Sequence, residues 1–247
     1  MPNRLSAAST PPSFVDMREF ARDPNQGIAV AAAPGEDRFL ASRRCLNRAP
    51  GPVTAGVIAL DAGGGAVASM PADEFIIVDA GSLTLTYPDA VLTLDAGQST
   101  VIQQGAAFSW SAGRPVSLIF TRYNGSQPGA RAIVPIKESP QLEPSGAPLA
   151  ELLLTPTPAC RNYSDYRSAD GEFVCGTWDS TPYHRRAMLY RHFELMFLLE
   201  GSVTFVDGTG RAGTFSKGDI FLVEQDATCS WESREQVAKV YVIYRPA

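Results

Sequence analysis

The sequence predicts an all-β protein, and three observations carry that prediction. Short runs of strand-forming residues alternate with Gly, Pro and Asn punctuation; 21 glycines and 19 prolines in 247 residues suit a chain of many turns. Few stretches hold a 3.6-residue apolar period for long. The chain also repeats itself. Glu74 and Gly81 recur as Glu194 and Gly201, and Gly56 as Gly176, at an offset of 120 residues. Gly97 recurs as Gly218 and Trp110 as Trp231 at an offset of 121. Landmarks related by one offset and a single-residue indel mark two copies of one β unit. With 45% hydrophobic residues the chain can bury a sizeable core.

Residues 1–12 are small and polar and read as mobile. They lack the apolar centre of a signal peptide, and no apolar run is long enough to span a bilayer. Ser13 reads as the cap of a short helix through Phe14, Met17 and Phe20, ended by Asp23-Pro24 and serving as a lid or edge cover. Strand-type runs follow at 28–33, 39–45, 53–60, 75–78, 83–87, 91–94, 100–103 and 117–123. A Pro/Gly/Ser-rich stretch over 125–148 has the composition of an extended surface linker. The apolar residues 149–154 then read as a segment pairing with the opposite half. The boundary falls near 130, giving a first unit over 1–130 and a second over 131–247.

The second unit is organised by residues 188–201, where nearly every position suits one long strand before a tight turn at Gly201-Ser202. Period-2 alternation puts Met188, Tyr190, His192, Glu194, Met196 and Leu198 on one face and Leu189, Arg191, Phe193, Leu195, Phe197 and Leu199 on the other. Both faces are largely apolar, as for a strand covered on both sides in a sandwich or closed barrel. Tyr190, His192 and Glu194 then stand in a row, pointing into one cavity. The formal net charge of −5 speaks against nucleic acid as a partner. Cys45, Cys160, Cys175 and Cys229 form no C-x-x-C pair and read as reduced thiols of a cytoplasmic protein, with a Cys160–Cys175 bridge as the alternative.

The stretch from Glu194 to Gly201, then Gly218-Asp219 and the apolar residues after it, Trp231, and residues 239–243, with Gly176-Thr177-Trp178 ahead of them, resembles the cupins. Within that superfamily it is similar to the subgroup of (S)-ureidoglycine aminohydrolase and the ethanolamine-utilisation cupins. The resemblance covers most of both halves. It implies two tandem double-stranded β-helix (jelly-roll) barrels, a bicupin, packed through the outer faces of their sheets. The first barrel would carry a degenerate site and serve as scaffold or dimerisation surface in a homo-oligomer. Metal-binding cupins carry H-x-H-x(3–4)-E-x6-G and a later histidine. Here those histidine places fall on Met188 and Tyr190, or on Ala187 and Leu189, and the later one on Cys229, so the aminohydrolase activity is not carried over. The matching positions of the first half, Ala68, Met70, Ala72 and Glu74, cannot hold a metal.

Only two histidines are present, His184 and His192; with Glu194 they could form a two-histidine, one-carboxylate set for one divalent metal ion. Glu194 is a candidate general acid or base with His192 or Tyr190 as proton partner, whereas Glu74, without polar company, reads as structural. In the basic stretch 184–192, Arg186 shares the Tyr190 face by parity and suits bidentate capture of a carboxylate; Arg185 reads as a solvated edge residue. Trp178, Tyr183, Met196, Phe221 and Trp231 are expected to line the second cavity and contact a small organic ligand. Two functions remain open at this point: a small-molecule enzyme acting on a carboxylate- or amide-bearing metabolite, metal-assisted or not, and a non-catalytic ligand-binding bicupin. In a third, structural reading, the barrel's own side chains fill the cavity. No nucleic-acid or membrane partner is expected.

Overall fold

The computed structural model describes residues 11–31, 33, 35–88 and 90–247. The expectation of mobility at residues 1–10 lies outside them. Two barrels follow one another, each a seven-stranded sheet facing a four-stranded one. The first large sheet runs Ile133–Pro135, Ser99–Ile102, Asp73–Ala80, Val116–Tyr123, Val53–Leu60, Arg43–Cys45, Ile28–Ala29. The second runs Phe14–Asp16, Ile220–Val223, Phe193–Glu200, Val237–Tyr244, Phe173–Ser180, Cys160–Arg167, Glu143–Ser145. The small sheets are Gly63–Val67, Phe108–Ala112, Ser82–Tyr87, Ala90–Asp95 and, in the second barrel, Tyr183–Leu189, Thr228–Ser233, Ser202–Val206, Ala212–Ser216. The tandem-barrel expectation therefore holds. Gly81 and Gly201 sit at the same turn with φ of 90° and 74°, a conformation that favours glycine. Among the described residues no helix is long and apolar enough to cross a membrane.

The large sheets pack back to back. Ala55, Val57, Phe75, Ile77 and Ile119 of the first meet Phe173, Leu195, Phe197, Val240 and Val242 of the second in one buried cluster. This is why both faces of Phe193–Glu200 are apolar: the odd-numbered residues face the other barrel, while Met196 and Leu198 face inward. Leading strands are exchanged. Phe14–Asp16 precedes the first barrel yet pairs with Ile220–Val223 of the second, and Ile133–Pro135 precedes the second yet pairs with Ser99–Ile102 of the first.

Several local expectations are corrected. The first helix spans Met17–Arg22 and its cap is Asp16, whose carboxylate accepts the Arg18 and Glu19 N–H groups at 2.9 Å. Ser13 instead bonds Asp207 and Phe14 is a strand residue, because the tertiary pairing with Val223 takes them out of the helix. Within 39–45, Asp37 caps a helical turn, Arg38–Ala41, that sinks Phe39 into the core against Phe108; only Arg43–Cys45 is a strand. Residues 149–154 form a short 3₁₀ turn, Ala150–Leu152, and then bond their own half, Leu154 N–H donating to the His184 carbonyl at 2.9 Å. The long strand over 188–200 is two strands. Tyr190 and the 226–227 turn exchange backbone hydrogen bonds (Tyr190 N to Ala227 O, 2.8 Å; Asp226 N to Tyr190 O, 2.7 Å), and the chain turns from the small sheet into the large one.

The exchanged N-terminal strand anchors in the second barrel through Phe14, which packs on Phe205 and Phe215 and lies under the Arg211 guanidinium at 3.9 Å. Phe14→Ala should lower the unfolding free energy by about 3–5 kcal/mol, read from urea denaturation. A loss under about 1 kcal/mol would show the strand to be dispensable.

Candidate functional site

A cavity of about 1000 Å³ opens in the second barrel between its two sheets, with the segment from Ser145 to Leu152 along one side. Trp178, Tyr183, Tyr190, His192, Glu194 and Trp231 all line it. The reading in which side chains fill this barrel therefore does not hold. The Tyr190–His192–Glu194 row survives the broken strand, because the corner at Tyr190 keeps all three on the cavity side. The Tyr190 and His192 rings lie 5.2 Å apart, and His192 Nε2 is 3.3 Å from a Glu194 oxygen. Met196 and Phe221 belong to the buried core of this barrel and do not line the cavity.

Two further expectations change. Tyr183–Leu189 bulges against Thr228–Ser233, its register slipping between Arg185 and Met188. The extra residue inverts the alternation. Arg186 is exposed on the outside, while Arg185 points inward with 3% exposure. His184, on the opposite parity from Arg185, pairs with Glu232 across the sheet and does not line the cavity. The set of His184, His192 and Glu194 is thus not assembled. Among the described residues no cluster of three or more His, Cys, Asp or Glu side chains is placed to hold a metal.

Lys239 is a cavity-wall residue that sequence reasoning passed over. Its ammonium donates to Glu194 Oε1 at 2.8 Å and lies 4.7 and 5.0 Å from the ring centres of Trp178 and Trp231. A lone lysine in the otherwise apolar strand Val237–Tyr244 was the available signal. Burial alone would raise the Glu194 pKa; the Lys239 charge and the His192 contact outweigh it and hold the carboxyl at about 2. Glu194 is therefore a fixed anion, and a general-acid role for it is set aside. The Arg185 guanidinium donates to Tyr190 Oη at 2.8 Å, the Cys229 carbonyl at 3.2 Å and the Arg186 carbonyl at 3.0 Å. All three acceptors are neutral. Burial keeps the Tyr190 phenol protonated well above its ordinary pKa and pushes the Cys229 thiol up to about 11.

This donor set does not fit the divalent metal of metal-binding cupins. Lys239 already neutralises the one carboxylate, Cys229 is held as a thiol, and the remaining ligand places are a thioether, Met188, and a phenol bonded to Arg185.

The tandem barrels, with a polar row on a central strand of the second, have a cupin-type fold. Residues 167–241 match the family model described as EutQ-like cupin domain. Solved structures agree. A protein of unknown function of the DUF861 family from Pseudomonas syringae pv. tomato aligns at 26% identity over 94% of this chain and 99% of its own, with a TM-score of 0.83. A cupin 2 conserved barrel domain protein from Leptotrichia buccalis aligns at 12% identity over 82% and 88%, TM-score 0.56. Protein Ylba from E. coli, also of DUF861, aligns at 11% over 99% and 96%, TM-score 0.55. The last two likenesses show the fold alone. No curated protein matches the chain.

The lowered Glu194 pKa has a consequence for stability. In the unfolded chain this carboxyl takes its proton near the ordinary value of 4.5, and in the folded chain near 2. Its contribution is therefore complete above about pH 4.5 and is lost as pH falls toward 2. Stepped-pH denaturation should show wild type losing about 3 kcal/mol more than Glu194→Gln across that window. Equal acid sensitivity would mean that the Lys239–Glu194 pair does not persist in solution.

Proposed function

We propose that the second barrel binds a small organic acid and that His192 exchanges a proton with it. One observation carries the reading: Arg185 is a nearly fully buried cation on the cavity wall whose hydrogen bonds all go to neutral acceptors. A buried charge without a counter-ion is costly, and a carboxylate entering the cavity removes that cost. Around the His192 row, Lys239 and Arg185 stand against the single carboxylate Glu194, a local excess of positive charge that favours an anion there. Tyr190 accepts its bond from Arg185, so its own O–H is free to donate to the same ligand oxygen. Glu194, charged at all working pH values, orients His192. When Nε2 donates to that carboxylate, Nδ1 is left as a proton acceptor. This histidine–carboxylate arrangement, open to a ligand cavity, favours an enzyme acting by proton transfer.

A second reading, binding without turnover, rests on a different observation. Glu194 is held by Lys239 much as Glu74 is held by two arginines in the first barrel, where the pairing is structural.

Calorimetric titration of short mono- and dicarboxylic acids against their neutral amides tests the proposal. The acids should bind, the matched amides about tenfold more weakly or worse, and Arg185→Gln should lose that preference. His192→Asn should keep binding and abolish any turnover found in wild type; turnover absent from both leaves the binding reading. Equal affinity for acid and amide, or unchanged binding in Arg185→Gln, overturns the organic-acid assignment.

A further inference from the structure

The first barrel keeps a mouth of its own. A cavity of about 310 Å³ lies there, at the lower end of the range for small-ligand sites, walled by Arg43, Arg122, Thr54, Phe120 and Val30. The buried charge beneath it is Glu74, wholly enclosed and met by two guanidiniums. Arg43 forks onto it, Nη1 to Oε2 at 2.7 Å and Nη2 to Oε1 at 2.9 Å, and Arg122 Nε donates to Oε2 at 2.7 Å. Each Arg43 nitrogen thereby has a partner, its Nε donating to the Phe39 carbonyl at 3.2 Å. Arg122 is not. Neither of its Nη groups has a hydrogen-bond partner among the described residues, and Nη2 is buried. Buried donors left in this state are rare in folded proteins and mark a place where an acceptor is wanted. The one other carboxylate at this mouth, Glu36, is exposed and turned to the Ala33 N–H at 2.9 Å, so solvent screens it.

We propose that this mouth is a second anion site, in which Arg122, held rigid by the Glu74–Arg43 pair, takes one short carboxylate through its free, unburied Nη1. With Nε fixed on Glu74 and Nη2 enclosed, Nη1 is the donor that Arg122 presents to the mouth. The small volume restricts the ligand to a few heavy atoms, unlike the larger second cavity.

Acetate is the probe, titrated into the full chain carrying Arg185→Gln so that the second cavity contributes least. One saturable site per chain is expected, weakened about tenfold or more by adding Arg122→Gln. Val30→Trp, at an exposed position on the wall, blocks the mouth without touching the ion pairs and should weaken acetate equally; it decides the matter if Arg122→Gln disturbs folding. Absence of saturable acetate binding in the folded Arg185→Gln protein, or binding indifferent to Val30→Trp, overturns the proposal. Acetate bound only when Arg185 is present would do so too, while leaving the organic-acid reading of the second barrel standing.

Discussion

The back-to-back packing of the two large sheets is the constraint on which the rest of the molecule depends. It removes the outer face of each sheet from water, so strands such as Phe193–Glu200 are apolar there, and a polar residue on that face, such as Asp73, takes a partner from the other barrel, Tyr166. The exchanged leading strands tighten this arrangement. Each barrel has its sheet edge completed by a segment belonging in sequence to the other copy, so each edge is covered and neither barrel can separate without exposing backbone donors and acceptors. A charged residue on the inner face of the central strand is enclosed in the barrel interior, where it needs a partner.

Both copies place such a residue at the same point. Glu74 and Glu194 are related by the repeat, and each meets a cation, but the cations come from different strand positions. Arg122 sits opposite Glu74 where the second copy has Ile243, and Arg43 occupies the place of Asn162. Lys239 corresponds to Leu118 of the first copy. Duplication kept the buried carboxylate and changed how it is neutralised. The expectation that Glu74 lacks polar company is thus corrected, although its structural role stands.

What the sequence made legible follows from what is periodic. The repeat, the all-β class and the facing of residues 193–200 all rest on offsets and alternation that the folded chain obeys. Parity failed where the chain departs from regular pairing. The bulge between Arg185 and Met188 exchanges the two arginines, and no local residue preference announces it. The corner at Tyr190 is likewise set by hydrogen bonds to residues 226 and 227, which are distant in sequence. Asp16 and Asp37 are residues of a cap-forming type, but from sequence the first cap falls at Ser13 and a strand covers 39–45, because the strand pairing of Phe14 and the burial of Phe39 are tertiary facts. Lys239 could have been found, since an isolated lysine in a strand covered on both sides needs an internal anion.

The difference between the two interiors follows from the choice of cation. In the first barrel two guanidiniums enclose Glu74 from separate strands, Arg43 lying 4.7 Å from the Phe120 ring centre, and the space that remains is small. In the second, a single ammonium settles against two tryptophans and leaves the rest of Glu194 to His192, so a large cavity persists beside the pair. An ammonium at that point also changes what the barrel can do. It supplies a fixed positive charge without exchangeable coordination sites; in the proposed function a ligand is therefore held by charge and hydrogen bonds, and any proton it gains or loses passes through a side chain. In the proposed function that side chain is His192.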